Sequence, residues 1–377
     1  METHLKLDIH GRELDDEMLW DILSYASVNG VMIETASNEL EGAPSGNTVR
    51  EHLTGALDET RAGVVALEGQ LNTALLAQLP RHVRKRLRNK RFEVGIDLVG
   101  IPYHGQPSQD SNEIRRSRAR SGTTHFHTYA TLTIVHDKLR YALALTFVWA
   151  DESLDQVLKR LILRVRALDL RIRRAYLDKG FCSTAVLRLL RRHRIPYIVP
   201  IPRWGKKGGG IKALFFGKRS YRIQYTFHAG KPKAYTTDVL VVRREKRERN
   251  SRTKIEWFPY AVYRVHQLAP HQVYQHYRRR FGMESGYRQM HTVRARTTSP
   301  NPALRLLFIG LALVIYNLYI SLRRTWLHKR HYGMRVRYIW LTLKRLALML
   351  LRSIERRLGI TDCVQIASSV LTIPAFS

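Results

Sequence analysis

From Phe92 the chain changes the spacing of its apolar residues from helical to alternating and keeps to it through three consecutive runs, FEVGIDLVGIPY, HFHTYATLTIVHD and LRYALALTFVWA. Runs rich in β-branched and aromatic residues with a period of two are strands of a sheet. His136 to Lys138 reads as a tight turn between the last two. A helix, LDQVLKRLILRVRAL, opens at Asp151 to Ser153 and leads to a fourth strand, LRIRRAYLD. A second helix, STAVLRLLRRH, and a fifth strand, YIVPIP, complete the series.

Three antiparallel strands followed by helix, strand, helix, strand is the chain order of a ribonuclease-H-like mixed sheet, an α/β fold. Alternation resumes between about 203 and 265, as in Tyr221, Ile223, Tyr225 and Phe227. This stretch is expected to be a β-rich insertion outside the first sheet. The expected division is therefore a helical module at 1–80, a catalytic domain at 90–322 carrying the insertion, and a basic helical region at 323–377.

Charge divides the chain at Pro80. Residues 1–79 hold 4 Lys and Arg against 14 Asp and Glu, whereas residues 80–377 hold 60 against 17. The whole chain has a formal net charge of +33. Such an excess repels itself in a compact fold unless a polyanion neutralises it, which makes nucleic acid the expected partner. Charge alone does not separate a specific enzyme from a nonspecific binder.

The acidic part reads as the helices LDDEMLWDILSYA, VMIETASNELEG and SGNTVREHLTGAL, an arrangement like a helix-turn-helix. Ser45 or Asn47 would cap the third helix. Asn47, Thr48 and His52 could then face a DNA groove, with Arg50 at its edge. The alternative is a helical cap docked on the basic body, which the acidity favours because phosphate repels carboxylates. Arg81 to Arg91, RHVRKRLRNKR, is either a DNA-backbone contact or a solvated helix face.

Cys182 and Cys363 are the only cysteines and form no CxxC pair, so no disulfide framework or cysteine zinc site is supported. The acidic opening lacks an apolar run, giving no secretory or transit signal and a cytoplasmic, nucleoid-associated expectation. Leu306 to Leu322 is apolar but short for a bilayer and contains Asn317. It reads as a buried core helix, and no membrane is expected as a partner.

Three acids stand out. Asp97 lies in mid-strand on the face shared by Glu93, Gly95 and Val99, where a buried carboxylate is costly unless paired or bound to metal. Asp178 ends the fourth strand, and strand ends of α/β sheets are where ligands gather. Glu284 lies in HQVYQHYRRRFGMESGYRQMH, read as one helix, with Tyr277, Arg280 and His291 on the same face. An Arg280–Glu284 ion pair at i,i+4 is the plain alternative. Three carboxylates can hold two hard divalent cations for phosphodiester chemistry. His125 and His127 lack a second ligand cluster and read as surface or packing residues. Gly208 to Gly210 lacks the P-loop pattern.

At Asp97, at YLDKGF and at YRRRFGMESGYRQMH the sequence resembles the DDE transposases of insertion sequences, most closely the IS-four superfamily and its archaeal ISH-type relatives. That superfamily carries a Tyr, two residues, Arg, three residues, Glu, six residues, Lys signature. Tyr277, Arg280 and Glu284 match its first three positions, and His291 stands in place of the lysine. The resemblance implies magnesium, with manganese as substitute, held by Asp97, Asp178 and Glu284. It also implies DNA contacts from Tyr277, Arg280 and His291, and a homodimer on double-stranded DNA. Two rivals from other classes are a transposase-derived DNA-binding protein without catalysis and a membrane-anchored protein.

Overall fold

The computed structural model describes residues 4, 5, 7, 9, 11, 13–135, 140–203, 206, 208–247, 253–325 and 341–361. The turn expected at His136 to Lys138 lies outside these residues, as do parts of the Gly/Lys loop after Pro202 and the C-terminal tail. The first strand, β1 (Phe92–Pro102), is the axis of the sheet. It pairs antiparallel with β3 (Thr123–Ile134) on one side and parallel with β5 (Ile172–Leu177) on the other. Next come β4 (Ala142–Val148), antiparallel to β3, and β6 (Tyr197–Pro200), parallel to β5. The spatial order β4-β3-β1-β5-β6 is that of the expected ribonuclease-H-like sheet, with a short β2 (Arg115–Arg120) added on β3.

The insertion does not form a separate sheet. Its strands β7 (Tyr221–Phe227), β8 (Tyr235–Arg247) and β9 (Thr253–Tyr263) continue the first one, because β9 pairs antiparallel with β6. The physical reason is that β6 would otherwise be left as an open edge, and β9 satisfies its backbone groups. Alternation gives each strand's faces but not its neighbour.

Alternate residues of β1 face two cores. Phe92, Val94 and Ile96 pack with α5 (Arg81–Asn89), α6 (Leu154–Ala167) and α7 (Thr184–Arg192). Val99 and Ile101 face the opposite core. That core gathers α1 (Asp16–Asn29), α2 (Ile33–Glu39), α3 (Gly46–Ala56), α4 (Arg61–Ala77) and the 24-residue α10 (Pro302–Thr325). The long α4 adds a fourth helix to the three expected in the acidic region. Ser45 is the residue that caps α3, accepting the Thr48 amide, and Ser183 caps α7. The basic helix α11 (Leu343–Leu358) docks on α1, where Arg357 pairs with Glu17 and Asp21.

β4 shows what the polar residues of these helices are for. Among the described residues its outer edge has no strand neighbour, and side chains stand in for one. Asn72 of α4 accepts from the Leu145 amide at 2.7 Å and donates to the Leu145 carbonyl at 2.9 Å. Glu68 accepts from the Phe147 amide at 2.6 Å, and Asn317 of α10 exchanges both bonds with Ala142 at 3.0 and 2.9 Å. Buried backbone groups that lack such partners are strongly destabilising. Asn317 is therefore an edge cap inside a helix long and apolar enough for a membrane, yet one whose most apolar 18-residue stretch is 89% buried in this protein.

Burial pushes the Glu68 carboxyl up to about 7, against the opposing pull of the Phe147 amide and Arg160. A carboxyl raised from 4.5 in the unfolded chain contributes most stability below that pH and loses it as pH rises through 7. Glu68→Gln removes the titration. Thermal melts from pH 4 to 8 should show the variant gaining on the parent, by on the order of 3 kcal/mol across the range. A constant difference across that range rules out Glu68 as the titrating group.

Candidate active site

The register between β1 and β5 places the first two acids side by side. Ile96 lies opposite Leu177, so the next residues, Asp97 and Asp178, meet where β5 ends and β1 continues. Asp178 leaves the strand and its side chain accepts from the Gly180 amide at 3.4 Å. Asp97 is mid-strand, opposite Thr131 of β3, and accepts from its neighbour's amide, Leu98.

Glu284 arrives on a separate helix. The stretch expected as one helix is two, α8 (Pro270–Arg278) and α9 (Phe281–His291), with the break at Arg279 and Arg280. Both of these arginines are pinned by acids on one face of β1. Arg279 reaches Glu93 at 3.3 Å, and Glu93 also pairs with buried Arg174 at 3.2 Å. Arg280 reaches Asp97 at 2.7 Å. The break falls where the two strand acids take successive side chains of the helical segment.

Arg280 joins all three candidate acids. One terminal nitrogen donates to Asp97, and the other donates to Asp178 at 3.1 Å and Glu284 at 3.3 Å. Its Nε donates to the Tyr277 hydroxyl at 3.1 Å. The Arg280 side chain is 5% exposed against 14%, 35% and 48% for the three acids, so the guanidinium is the closed inner wall and Glu284 the open side. The i,i+4 pair with Glu284 thus exists, as one of three.

Burial pushes the Asp97 carboxyl up to about 6; the Arg280 charge opposes this and the Asp178 charge adds to it. Burial disfavours the charge on Arg280, yet Tyr277, Asp97 and Asp178 together hold its pKa above the ordinary value. Tyr277 is raised beyond the ordinary phenol range, first by burial. Tyr277 and Arg280 both turn inward, engaged with each other and the acids.

The other expected site residues stand apart from this cluster. His291 ends α9, where burial and then the charges of Arg294 and Arg120 push its pKa down to about 4. Arg50 is on α3, bound to Glu34 at 3.2 Å and Asn47 at 2.8 Å. His127 is fully buried against Tyr103, a packing residue whose pKa burial lowers to about 3.

Gly95 is a site residue that charge and spacing do not single out. A Cβ there would lie 2.0 Å from the Met283 sulfur and 2.9 Å from Val135. Met283 precedes Glu284, so a bare backbone at Gly95 lets α9 settle on β1. A glycine in mid-strand is a signal of such close approach. Tyr287 adds a hydrogen bond from α9 to Thr131, the cross-strand partner of Asp97.

Three carboxylates are a hard oxygen donor set, which suits divalent cations such as magnesium or manganese. Among the described residues no three His, Cys, Asp or Glu side chains close on a single point. The acids instead share the guanidinium, which supplies the positive charge that so many carboxylates require. The donor chemistry fits a metal; in this arrangement Arg280 is the neutralising group.

The sheet order and the acids at the β1–β5 junction define a DDE-type ribonuclease-H-like fold. Residues 96–318 match the model of the transposase DDE domain family, and the chain belongs to that family. It is thus a transposase-family protein, of the kind that acts in DNA transposition and is carried by mobile elements. No curated protein sequence matches it. Among solved structures it is similar in fold to the piggyBac transposase, determined by cryo-EM in a synaptic complex with hairpin DNA. That likeness has a TM-score of 0.53 and 10% identity, over 96% of this chain and 77% of the other.

Removing one partner of a buried ionic cluster leaves the rest uncompensated. Arg280→Ala should lower unfolding stability by about 3 kcal/mol, and Asp97→Asn should recover at least about 1 kcal/mol of that loss. Equilibrium denaturation of the two single variants and the double variant measures the coupling. Strict additivity would mean that the pair does not interact in solution.

Proposed function

We propose that this chain is an active insertion-sequence transposase of the IS-four type that cuts the ends of its own element and joins the freed 3′-hydroxyls to target DNA. The reading rests on the convergence of Asp97, Asp178 and Glu284 upon one guanidinium, at the end of a sheet whose fold the DDE family shares. Asp97, Asp178 and Glu284 would hold magnesium, or manganese in its place. When bound, such ions activate a water or a 3′-hydroxyl and steady the leaving oxygen.

The protein's own groups do the rest. Asp97, with its carboxyl raised by burial, is fixed by the strand. Glu284 sits on the open side and is free to adjust. Arg280 holds the three acids in one place and balances their charge, while Tyr277 orients Arg280 through its hydroxyl. For Arg280 and Tyr277 to hold the phosphate backbone near the cut, both would have to turn out of this buried arrangement. His291, in the position of the signature lysine, would meet phosphate as a hydrogen-bond donor, its pKa lowered by burial and by Arg294 and Arg120.

The helices of residues 1–80 would supply end recognition, with Arg50 near the groove. Chemistry on two ends requires a homodimer on double-stranded DNA. The piggyBac transposase, similar in fold, is itself bound to hairpin DNA, which agrees with double-stranded ends as the substrate class here.

The test is cleavage of labelled duplex carrying the element's end, with magnesium or manganese and with EDTA. Asp97→Asn, Asp178→Asn and Glu284→Gln should still bind this duplex but lose cutting by about a hundredfold or more. Variants that cut like the parent would reject these residues; binding without any cutting by the parent would leave a noncatalytic DNA-binding protein.

A further inference from the structure

A cleft of about 950 Å³ opens at the opposite end of the same strands from the acids. Asp178 follows the C-terminal end of β5, whereas the cleft is lined by the residues that enter β5 and β6, precede β1 and leave β9. The length of β5 separates the two by roughly 20 Å at the rise of a strand.

Arginine dominates the lining. Arg91, Arg166, Arg171, Arg173, Arg194 and Arg264 reach it from five chain segments, with Arg174 below them and, among the described residues, Asp169 as the one carboxylate. Arg174 is neutralised by Glu93, but none of those six makes an ion pair among the described residues. Arg166 donates to the His193 carbonyl at 2.9 Å, and Arg264 lies over the Tyr263 ring. Helix ends do not account for the cluster. Arg166 and Arg194 answer the carboxyl ends of α6 and α7, but Arg171 precedes β5, Arg173 lies within it and Arg264 follows β9.

The backbone is also held there against its preference. Arg194 and Arg264 have φ of 55° and 53°, and Asp169 of the same lining has 52°, in the left-handed region where glycine is the favoured residue. A glycine would relieve the strain and forfeit a charge; the first two positions carry arginine. Burial first, and then the charges of Arg166, Arg192 and Lys159, lower the pKa of His193, and of these cations Arg166 belongs to the cleft.

We propose that this arginine cleft is a second DNA-contact surface, which grips the phosphate backbone of a duplex at the end of the sheet remote from the carboxylates. Planar guanidinium groups suit phosphate oxygens. Among the described residues the lining has no Phe, Tyr or Trp and His193 as its one aromatic ring, so charged contacts to phosphate dominate over base stacking. It therefore contacts backbone without reading sequence. The proposal does not depend on which residues carry out cleavage.

The test uses the full chain in EDTA, so that binding is separated from cutting, and a labelled duplex without an element end. Arg173, Arg194 and Arg264 are changed together to Gln. A control set of three exposed cations, Lys344→Gln, Arg352→Gln and Arg356→Gln, lies on α11. The cleft variant should bind at least tenfold more weakly at 0.1 M salt. Its log Kd against log salt should flatten by about 3, at roughly 0.9 for each phosphate that a guanidinium no longer neutralises. The control set should shift Kd less than about threefold. A melting temperature equal to or above that of the parent, from relief of repulsion, shows that the weaker binding is not unfolding. Equal effects of the two sets would reduce the cleft to bulk charge and overturn the proposal. So would inorganic tripolyphosphate binding that the cleft substitutions abolish while duplex binding stays at the parental level, because the cleft would then be a small-polyanion site.

Discussion

Three carboxylates cannot be drawn to one end of a largely buried sheet unless positive charge meets them there, and in this protein Arg280 is that charge. The guanidinium is planar with several donors, so it can satisfy acids arriving from a strand, a strand end and a helix at once. A lysine would offer a single point of charge. The rest of the site follows from this need. Tyr277 orients the guanidinium, the α8–α9 break carries it inward, and Gly95 lets the helix approach closely enough for Glu284 to reach.

The same face of β1 uses this device twice. Glu93 and Asp97 point to one side because they are four residues apart on a strand, and they take Arg279 and Arg280 respectively. Glu93 is almost fully buried and also holds Arg174, so that pair is structural, whereas the Asp97 cluster opens to solvent through Asp178 and Glu284. An identical residue pairing thus anchors the helix at one level and builds a candidate reaction site at the next.

Polar residues elsewhere answer a different constraint. The β4 edge must have its amides and carbonyls paired, and Glu68, Asn72 and Asn317 provide those bonds from two helices. This ties the acidic N-terminal helices to the basic sheet through a shared core, not through charge alone. It also explains why an apolar helix carries an asparagine in its middle.

What the sequence determined by itself was local: strand and helix identity, which β1 residues share a face, and the Tyr277, Arg280, Glu284 spacing. Period and spacing are properties of neighbouring residues, and they survive without knowing the fold. The acids could be nominated in this way because a charge in the middle of an apolar strand is unusual wherever it lies. Tertiary structure alone decided that β9 joins β6, that the helix breaks at Arg279 and Arg280, that Arg280 faces the acids, and that scattered arginines meet in one cleft. Each of these depends on which distant segments come into contact, and so on burial and pairing across hundreds of residues, which no local pattern encodes.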